Sequence, residues 1–270
     1  MLQVYDDKQS FLNDHLDFLE RDEVTNGLMI GLMQRHGMIP DLLIAVTKDD
    51  RRLLGMIAGR KMILAADTHD SSLYRELVEY MRHVDYPGII GEKSICDVYA
   101  HIFQKIIGQP MIKEMDQRIY SCATITHVCH DEGIYRNATM NDVKTLIPWA
   151  YDFEVMVEGH ADIDAIGPIV EARVQAGVLR VLEVNGEIVS MAQRTRPLRQ
   201  TETVSYVFTP IAKRKRGYAT RIVELLTKEI HDEGRIATLY TDLGNPTSNK
   251  IYMDIGYRPH CDSIVYRIDR

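Results

Sequence analysis

Cysteine is scarce in this chain, with four among 270 residues. Cys96, Cys122, Cys129 and Cys261 follow no zinc-ribbon or redox spacing. A reduced, cytoplasmic setting is the simplest reading of that usage. Long apolar runs are missing as well, since none reaches the roughly 20 residues that a bilayer requires. The opening segment, Met1-Leu2-Gln3-Val4-Tyr5-Asp6-Asp7, lacks the cationic and apolar regions of a signal peptide. No membrane partner is expected. Positive charge is in deficit: the formal net charge of −7 argues against general nucleic-acid binding. Neither a Gly-x-Ser-x-Gly elbow nor a cysteine nucleophile signature is present.

What remains is an ordinary globular composition. Apolar residues make up 45% and charged residues 26%. The length suits one large domain or two small ones.

Against the acidic background one stretch is strongly cationic, Arg214-Lys215-Arg216-Gly217-Tyr218-Ala219. Residues 204–209 before it read as a strand, with Tyr206, Val207 and Phe208 as strong β formers. Pro210 ends that strand, because it removes a ladder donor. After the basic loop, Ala219, Ile222, Val223, Leu226 and Ile230 recur at helical spacing. The first amides of a helix lack internal partners, and the dipole makes that end positive. Gly217 has no side chain to hold a ligand off the backbone. A diphosphate would therefore sit on the amides of residues 216–220, which include Arg216, Tyr218, Ala219 and Thr220, among the cations. An import signal or nucleic-acid patch at residues 213–216 would sit more naturally in a tail than between strand and helix.

A second block lies further along the chain. Residues 236–241 read as a strand and lead into Asp242-Leu243-Gly244. Asn245 is a good N-cap, Pro246 suits the first helical turn and Gly256 suits the C-terminal stop. Asn249 and Tyr252, three residues apart, share one face of that short helix.

The two blocks resemble the GCN5-related N-acetyltransferase family. Its acetyl-CoA loop has Gln or Arg, two residues, Gly, any residue, then Gly or Ala; Arg214, Gly217 and Ala219 fill those places. The resemblance implies that Val207, Phe208 and Thr209 lie on the strand whose backbone pairs with the pantetheine arm. It further implies that Asn245 and Asn249 belong to the last cofactor motif, and that Tyr252 protonates the departing CoA thiolate. The general base is then sought in the region between the first two helices of the domain. Glu158 ranks first there, ahead of Glu154, with Glu183 and Asp242 at strand ends as further candidates. A water chain serves as base in many relatives.

The chain reads as built twice. In the C-terminal half, residues 134–138 form a strand and Asn141-Asp142 caps a helix carrying Val143, Leu146, Ile147 and Trp149. A helix over 163–175 comes next, then strands over 178–184 and 188–195 joined by Asn185-Gly186, a type I′ turn signal. The loop, helix and remaining elements complete the half, with a last strand over 263–268. The N-terminal half echoes this order: helices over 10–20 and 25–35, a hairpin of 42–46 with 53–64, and a helix over 73–84. Extended residues 88–91, a helix over 94–107 and a strand over 119–128 complete it.

Where that half would carry its phosphate loop stands Ala66-Asp67-Thr68-His69-Asp70-Ser71-Ser72, with no Gly and no Lys or Arg. Like charges a few ångströms apart cost on the order of 1 kcal/mol even in water, so this loop would repel a diphosphate. The fold expected from the resemblance is an α/β chain with a mixed sheet, the acyl-CoA N-acyltransferase fold in two tandem copies. Residues 1–130 form a degenerate N-terminal domain and 131–270 the catalytic one, with a boundary near His130-Asp131-Glu132-Gly133.

The expected activity is transfer of an acetyl group from acetyl-CoA to a primary amine of a small molecule or peptide, by direct attack and without a metal. The chain would work as a monomer or homodimer. Two alternatives stay open: a CoA-binding regulatory protein without turnover, and a tandem acyltransferase drawing on another donor such as aminoacyl-tRNA. Cys122, His127, Cys129 and His130 fit no standard zinc set. His160 and His231 read as surface or packing residues, and Met29, Met33 and Met38 as core or interdomain filling.

Overall fold

Carboxylates start most helices of this chain. Asp7, Asp22, Asp70 and Asp162 each accept a backbone amide from the first turn of the adjoining helix. Thr139 and Asp142 form a reciprocal capping box ahead of another helix. A computed structural model describes residues 1–59, 61–126 and 133–269, and of Glu158 only the backbone.

Two runs of elements share one order. The first comprises β1 (Leu2–Val4), α1 (Lys8–Glu20), α2 (Glu23–Gln34), β2 (Leu42–Lys48), β3 (Arg51–Ile57), β4 (Met62–Ala66), α3 (Ser71–Met81), β5 (Gly88–Glu92), α4 (Lys93–Ile107) and β6 (Met111–Cys122). The second comprises β7 (Ile134–Asn137), α5 (Val143–Glu158), α6 (Ile163–Gln175), β8 (Leu179–Val184), β9 (Glu187–Thr195), β10 (Thr201–Phe208), α7 (Tyr218–Asp232), β11 (Ile236–Asp242), α8 (Pro246–Ile255) and β12 (Arg258–Ile268). Both read β-α-α-β-β-β-α-β-α-β, the order of the acyl-CoA N-acyltransferase fold.

Local signals account for much of this. Asn185 and Gly186 both take positive φ, 53° and 77°, as a type I′ turn between β8 and β9 requires. Several boundaries differ from expectation. The stretch 53–64 is two strands, because the chain turns at Gly59, where φ is 72° and the amide donates to Asp41. The expected strand 119–128 runs instead from Met111 to Cys122, since its half-exposed, charge-rich first part lacks an apolar alternation. β10 and β12 likewise start earlier than their apolar cores.

The chain forms two compact units, and they do not follow a single cut. One holds Met1–Tyr120 with Tyr240–Asn245 and Pro259–Arg270; the other holds Ser121–Leu239 with Pro246–Arg258. In the first, the sheet order is β1-β2-β3-β4-β5-β12-β6. β12 runs antiparallel to β5, with Ile264 opposite Gly91 and Arg267 opposite Gly88. Gly88 matters to this close approach: a Cβ there would lie 2.0 Å from the Tyr266 carbonyl oxygen. Leu77 and Val78 of α3, with Tyr99 and Phe103 of α4, bury against Ile44, Leu53, Leu64 and Ile89. Met29 and Met33 are buried on α2, whereas Met38 is only half-buried.

In the second unit the order is β11-β10-β9-β8-β7. Leu146 and Ala150 of α5 and Ile166, Val170 and Val174 of α6 cover Val181, Met191, Tyr206 and Phe208. His231 packs here, hydrogen-bonded to the Cys122 carbonyl at 2.7 Å. Among the described residues no helix is long and apolar enough to cross a membrane.

An ion-pair network ties α7 to the sheet of this unit. Glu202, only 2% exposed, takes both oxygens to Arg194 at 2.7 Å. Glu229 accepts from Arg180 Nε at 2.9 Å, Arg194 at 2.8 Å and the Tyr135 hydroxyl. Burial alone would raise the Glu229 pKa, yet the Arg180 and Tyr135 hydrogen bonds and the two guanidinium charges hold it down to about 2. A depressed carboxylate adds stability above its unfolded pKa of about 4.3 and loses it as pH falls toward the folded value. Solvent screening of this partly exposed carboxylate brings its contribution below the roughly 3 kcal/mol that such a shift corresponds to. Wild-type protein should therefore lose stability between about pH 4.5 and pH 2. Glu229→Gln should be less stable at pH 7 and show a shallower acid limb. Denaturant titrations across pH test this, and equal acid limbs would assign the loss to other carboxylates.

Candidate active site

β10 parts early from its parallel neighbour. Their ladder pairs Thr201, Glu202 and Thr203 with Ile236, Ala237 and Thr238, and no further β10–β11 pair occurs among the described residues. On the other edge β10 stays with β9 but carries one extra residue: Ser205 faces Gln193, and Phe208 faces Met191. That surplus is a β-bulge, which bends the strand and re-aims the side chains beyond it.

Tyr206 sits in the bulge with φ 54°. A left-handed backbone costs a side-chain-bearing residue on the order of 1–2 kcal/mol. The ring packs against Phe153, centroids 4.3 Å apart, and under the Arg173 guanidinium at 4.0 Å. Its hydroxyl donates to Glu154 Oε1 at 3.0 Å, with the Ala150 carbonyl at 3.4 Å. Burial pushes that hydroxyl up to about 12; Glu154 adds to the rise and Arg173 opposes it.

Beyond the bulge Val207 is half-buried, while Phe208 and Thr209 are buried. Ser190 reaches the Phe208 carbonyl at 3.1 Å and the Thr209 hydroxyl at 2.9 Å, which ties the strand end to β9. After Pro210 a single 3-10 turn, Ile211–Lys213, opens the basic loop. Its cations have separate fates. Lys213 pairs with Glu187 at 2.7 Å. Arg214 Nε donates to the Thr209 carbonyl at 2.9 Å, and its guanidinium lies 5.9 Å from the Phe208 ring centre. Lys215 and Arg216 are exposed and have no ion pair among the described residues.

The loop turns into α7 through Lys215 at φ 63° and Gly217 at φ 80°. Gly217 is the N-cap of α7, no side chain caps that end, and a Cβ on it would meet nothing within 4 Å. Tyr218, Ala219 and Thr220 form the partly buried first turn. The result is an open helix start flanked by two unspent cations, a geometry suited to a phosphate group. Ile222, Val223, Leu226 and Ile230 are wholly buried, as the helical spacing predicts.

The first unit shows the opposite arrangement at α3, which holds the same place in the element order. Asp70 accepts the Ser72 amide at 2.9 Å and pairs with Arg51 at 2.6 Å and Lys48 at 3.5 Å. That amide and the Ser72 hydroxyl hold the Asp70 carboxyl down to about 2. The helix start is thus occupied by the chain's own carboxylate, and the nearby cations are spent on it.

α8 packs against α7. It begins at Pro246, directly after Asn245, and stops at Gly256, where φ is 129° and a Cβ would lie 2.4 Å from the Thr124 carbonyl oxygen. Asn249 is buried. Tyr252 is half-buried, edge-on to Tyr257 at 6.0 Å, and burial pushes its hydroxyl up to about 12. The hydroxyl makes no hydrogen bond among the described residues. Asn245 is assigned with Tyr240–Asn245 to the first unit.

Among the other candidates, Glu183 is bound by Arg136 at 2.8 Å and Asp242 accepts the Gly244 amide at 2.7 Å. The Glu158 side chain lies outside the described residues, as do His127, Cys129 and His130. No group of metal-binding side chains occurs among the described residues. Sequence reasoning passed over Tyr206 and Arg173. Tyrosine marks a strand well but carries no signal for a left-handed backbone, which Gly or Asn would.

Residues 185–265 match the family model described as FR47-like protein. No curated protein matches the sequence. Among solved structures, the chain is similar over its full length to the whole of a GNAT-family acetyltransferase from Colwellia psychrerythraea, at 10% identity and a TM-score of 0.66. A GCN5-related N-acetyltransferase from Kribbella flavida aligns over 92% of this chain and 95% of its own, at 14% identity and TM-score 0.62. A Drosophila protein aligns over 99% and 98%, at 10% identity and TM-score 0.66. These likenesses identify the acyl-CoA N-acyltransferase fold. The FR47-like match is confined to the part of the chain that holds β9 to most of β12.

Because the space beside Gly217 is open, Gly217→Ala should fold normally and lose only the cost of a left-handed Cβ, about 1 kcal/mol. Denaturant midpoints measure it. A loss above about 3 kcal/mol would mean that neighbouring atoms crowd the position.

Proposed function

We propose that the chain is an N-acetyltransferase that binds acetyl-CoA at the second unit and transfers the acetyl group to a primary amine of a small molecule or peptide. The observation that carries this reading is the uncapped start of α7 at Gly217, with Lys215 and Arg216 exposed and unpaired beside it. The amides from Arg216 through Tyr218, Ala219 and Thr220 would hold the diphosphate. The β10 edge over Val207, Phe208 and Thr209, free of β11 beyond Thr203, would pair with the pantetheine arm. Asn249 of α8 completes the binding set of the second unit in this reading. The domain roles are then distinct: residues 131–270 carry catalysis, and residues 1–130 carry a degenerate copy whose helix start Asp70 already fills.

Acyl transfer needs a deprotonated amine, a polarised carbonyl and a stabilised thiolate. A backbone amide near Phe208 or Thr209 would polarise the carbonyl. The Tyr252 hydroxyl has no hydrogen-bond partner among the described residues and stays protonated at neutral pH, which leaves it able to donate to the sulfur. In this reading Tyr252 protonates or hydrogen-bonds the departing thiolate. For the amine, Glu154 already receives the Tyr206 hydroxyl. Glu158 stands one turn further along α5 as the candidate base, with water relay as the other route.

Calorimetry should give one CoA per chain, and Gly217→Glu, which places a carboxylate where Asp70 stands in the first unit, should abolish it in a folded protein. Two equivalent sites would contradict the degenerate first unit; unchanged binding in the variant would move the phosphate site elsewhere. Tyr252→Phe should keep CoA affinity and lose on the order of 10²-fold in kcat against a responsive amine. Preserved turnover would reduce Tyr252 to packing, and lost affinity would make it a binding residue.

A further inference from the structure

We infer that α5 and α6 hold the donor strand in its bulged shape through Tyr206, which makes Arg173 and Glu154 positioning residues for CoA. The inference rests on the proposed CoA-binding role of β10. A bulky residue keeps a left-handed backbone only where its surroundings over-determine it. The ring-stacking, cation and hydroxyl contacts of Tyr206 come from these two helices. Phe153 packs on the ring, Glu154 and Ala150 of α5 hold the hydroxyl, and Arg173 of α6 lies over the ring at 4.0 Å. Arg173 Nη1 is buried and has no hydrogen-bond partner. The half-buried guanidinium lies over the ring face, where cation–π attraction adds to its hold on Tyr206.

The downstream consequence is geometric. Strand side chains alternate, so absorbing the one-residue bulge would turn residues 207–209 to opposite faces. Phe208 would leave Met191, and Thr209 would leave Ser190 and Arg214. Arg173 and Glu154 thus act on the donor strand through Tyr206, without touching the donor.

The test uses the full chain and two readouts, hydrogen exchange at amides 207–209 without ligand and CoA affinity by calorimetry. Arg173→Met should speed exchange there and weaken CoA, each by about tenfold. Tyr206→Gly and Tyr206→Ala lose the same ring contacts, but only glycine takes positive φ without strain. Tyr206→Gly should therefore bind CoA more tightly than Tyr206→Ala; a packing role alone would leave Gly no better than Ala. Wild-type exchange and affinity in Arg173→Met, or Ala equal to or better than Gly, overturns the inference. Faster exchange in Arg173→Met from a wild-type protein that binds no CoA supports the clamp and overturns the CoA reading instead.

Discussion

At Tyr206 the chain takes a left-handed backbone in mid-strand, and the layout of the second unit depends on that one departure. The extra residue lets β10 end with Phe208 against Met191 and Thr209 against Ser190. The Thr209 carbonyl then meets Arg214, which fixes how the basic loop leaves the strand. The loop delivers Gly217 to the start of α7 with nothing crowding it. Strain in the bulge is offset by aromatic packing, a cation over the ring and a hydroxyl–carboxylate hydrogen bond, all from α5 and α6.

The two units show how one element order can carry opposite electrostatics. At α3 a carboxylate takes the helix amide and draws Lys48 and Arg51 to itself. At α7 the cap is a glycine, and Lys215 and Arg216 stay exposed. A helix start attracts an anion in either case. In the first unit the anion is built into the chain, and in the second the place is open.

Compactness and sequence order also separate here. β12 closes the second run of elements yet pairs with β5 in the first unit. The pairing depends on a missing side chain at Gly88, where a Cβ would come within 2.0 Å of the Tyr266 carbonyl oxygen; at Gly91 the crowding oxygen is that of Leu64 on β4, at 2.6 Å. No local pattern in residues 258–268 names that partner, because alternation tells which face a strand buries and not which neighbour it finds.

Local chemistry was enough to announce the helices, the Asn185-Gly186 turn, the Gly217 loop and the element order of the second run, but not β1 or the split of β3 from β4 in the first. Each depends on residues adjacent in sequence, through periodicity, capping or positive φ. The break at Gly59 was carried locally by Gly59-Arg60-Lys61, but the apolar residues resume at Met62, so 53–64 read as one strand. The start of β6 is hidden because its first half is charged. Other features were settled only by packing. Lys213 reads as one of four cations, yet Glu187, brought near by the β8–β9 hairpin, claims it. Tyr206 reads as an ordinary strand residue, and its φ is imposed by Phe153, Glu154 and Arg173, which are distant in sequence. The sequence by itself therefore determined the element order of the second run and the open helix start, while tertiary contacts decided the bulge, the placement of β12 and which cations remain unpaired, since each of these is a competition among partners that only the folded chain brings together.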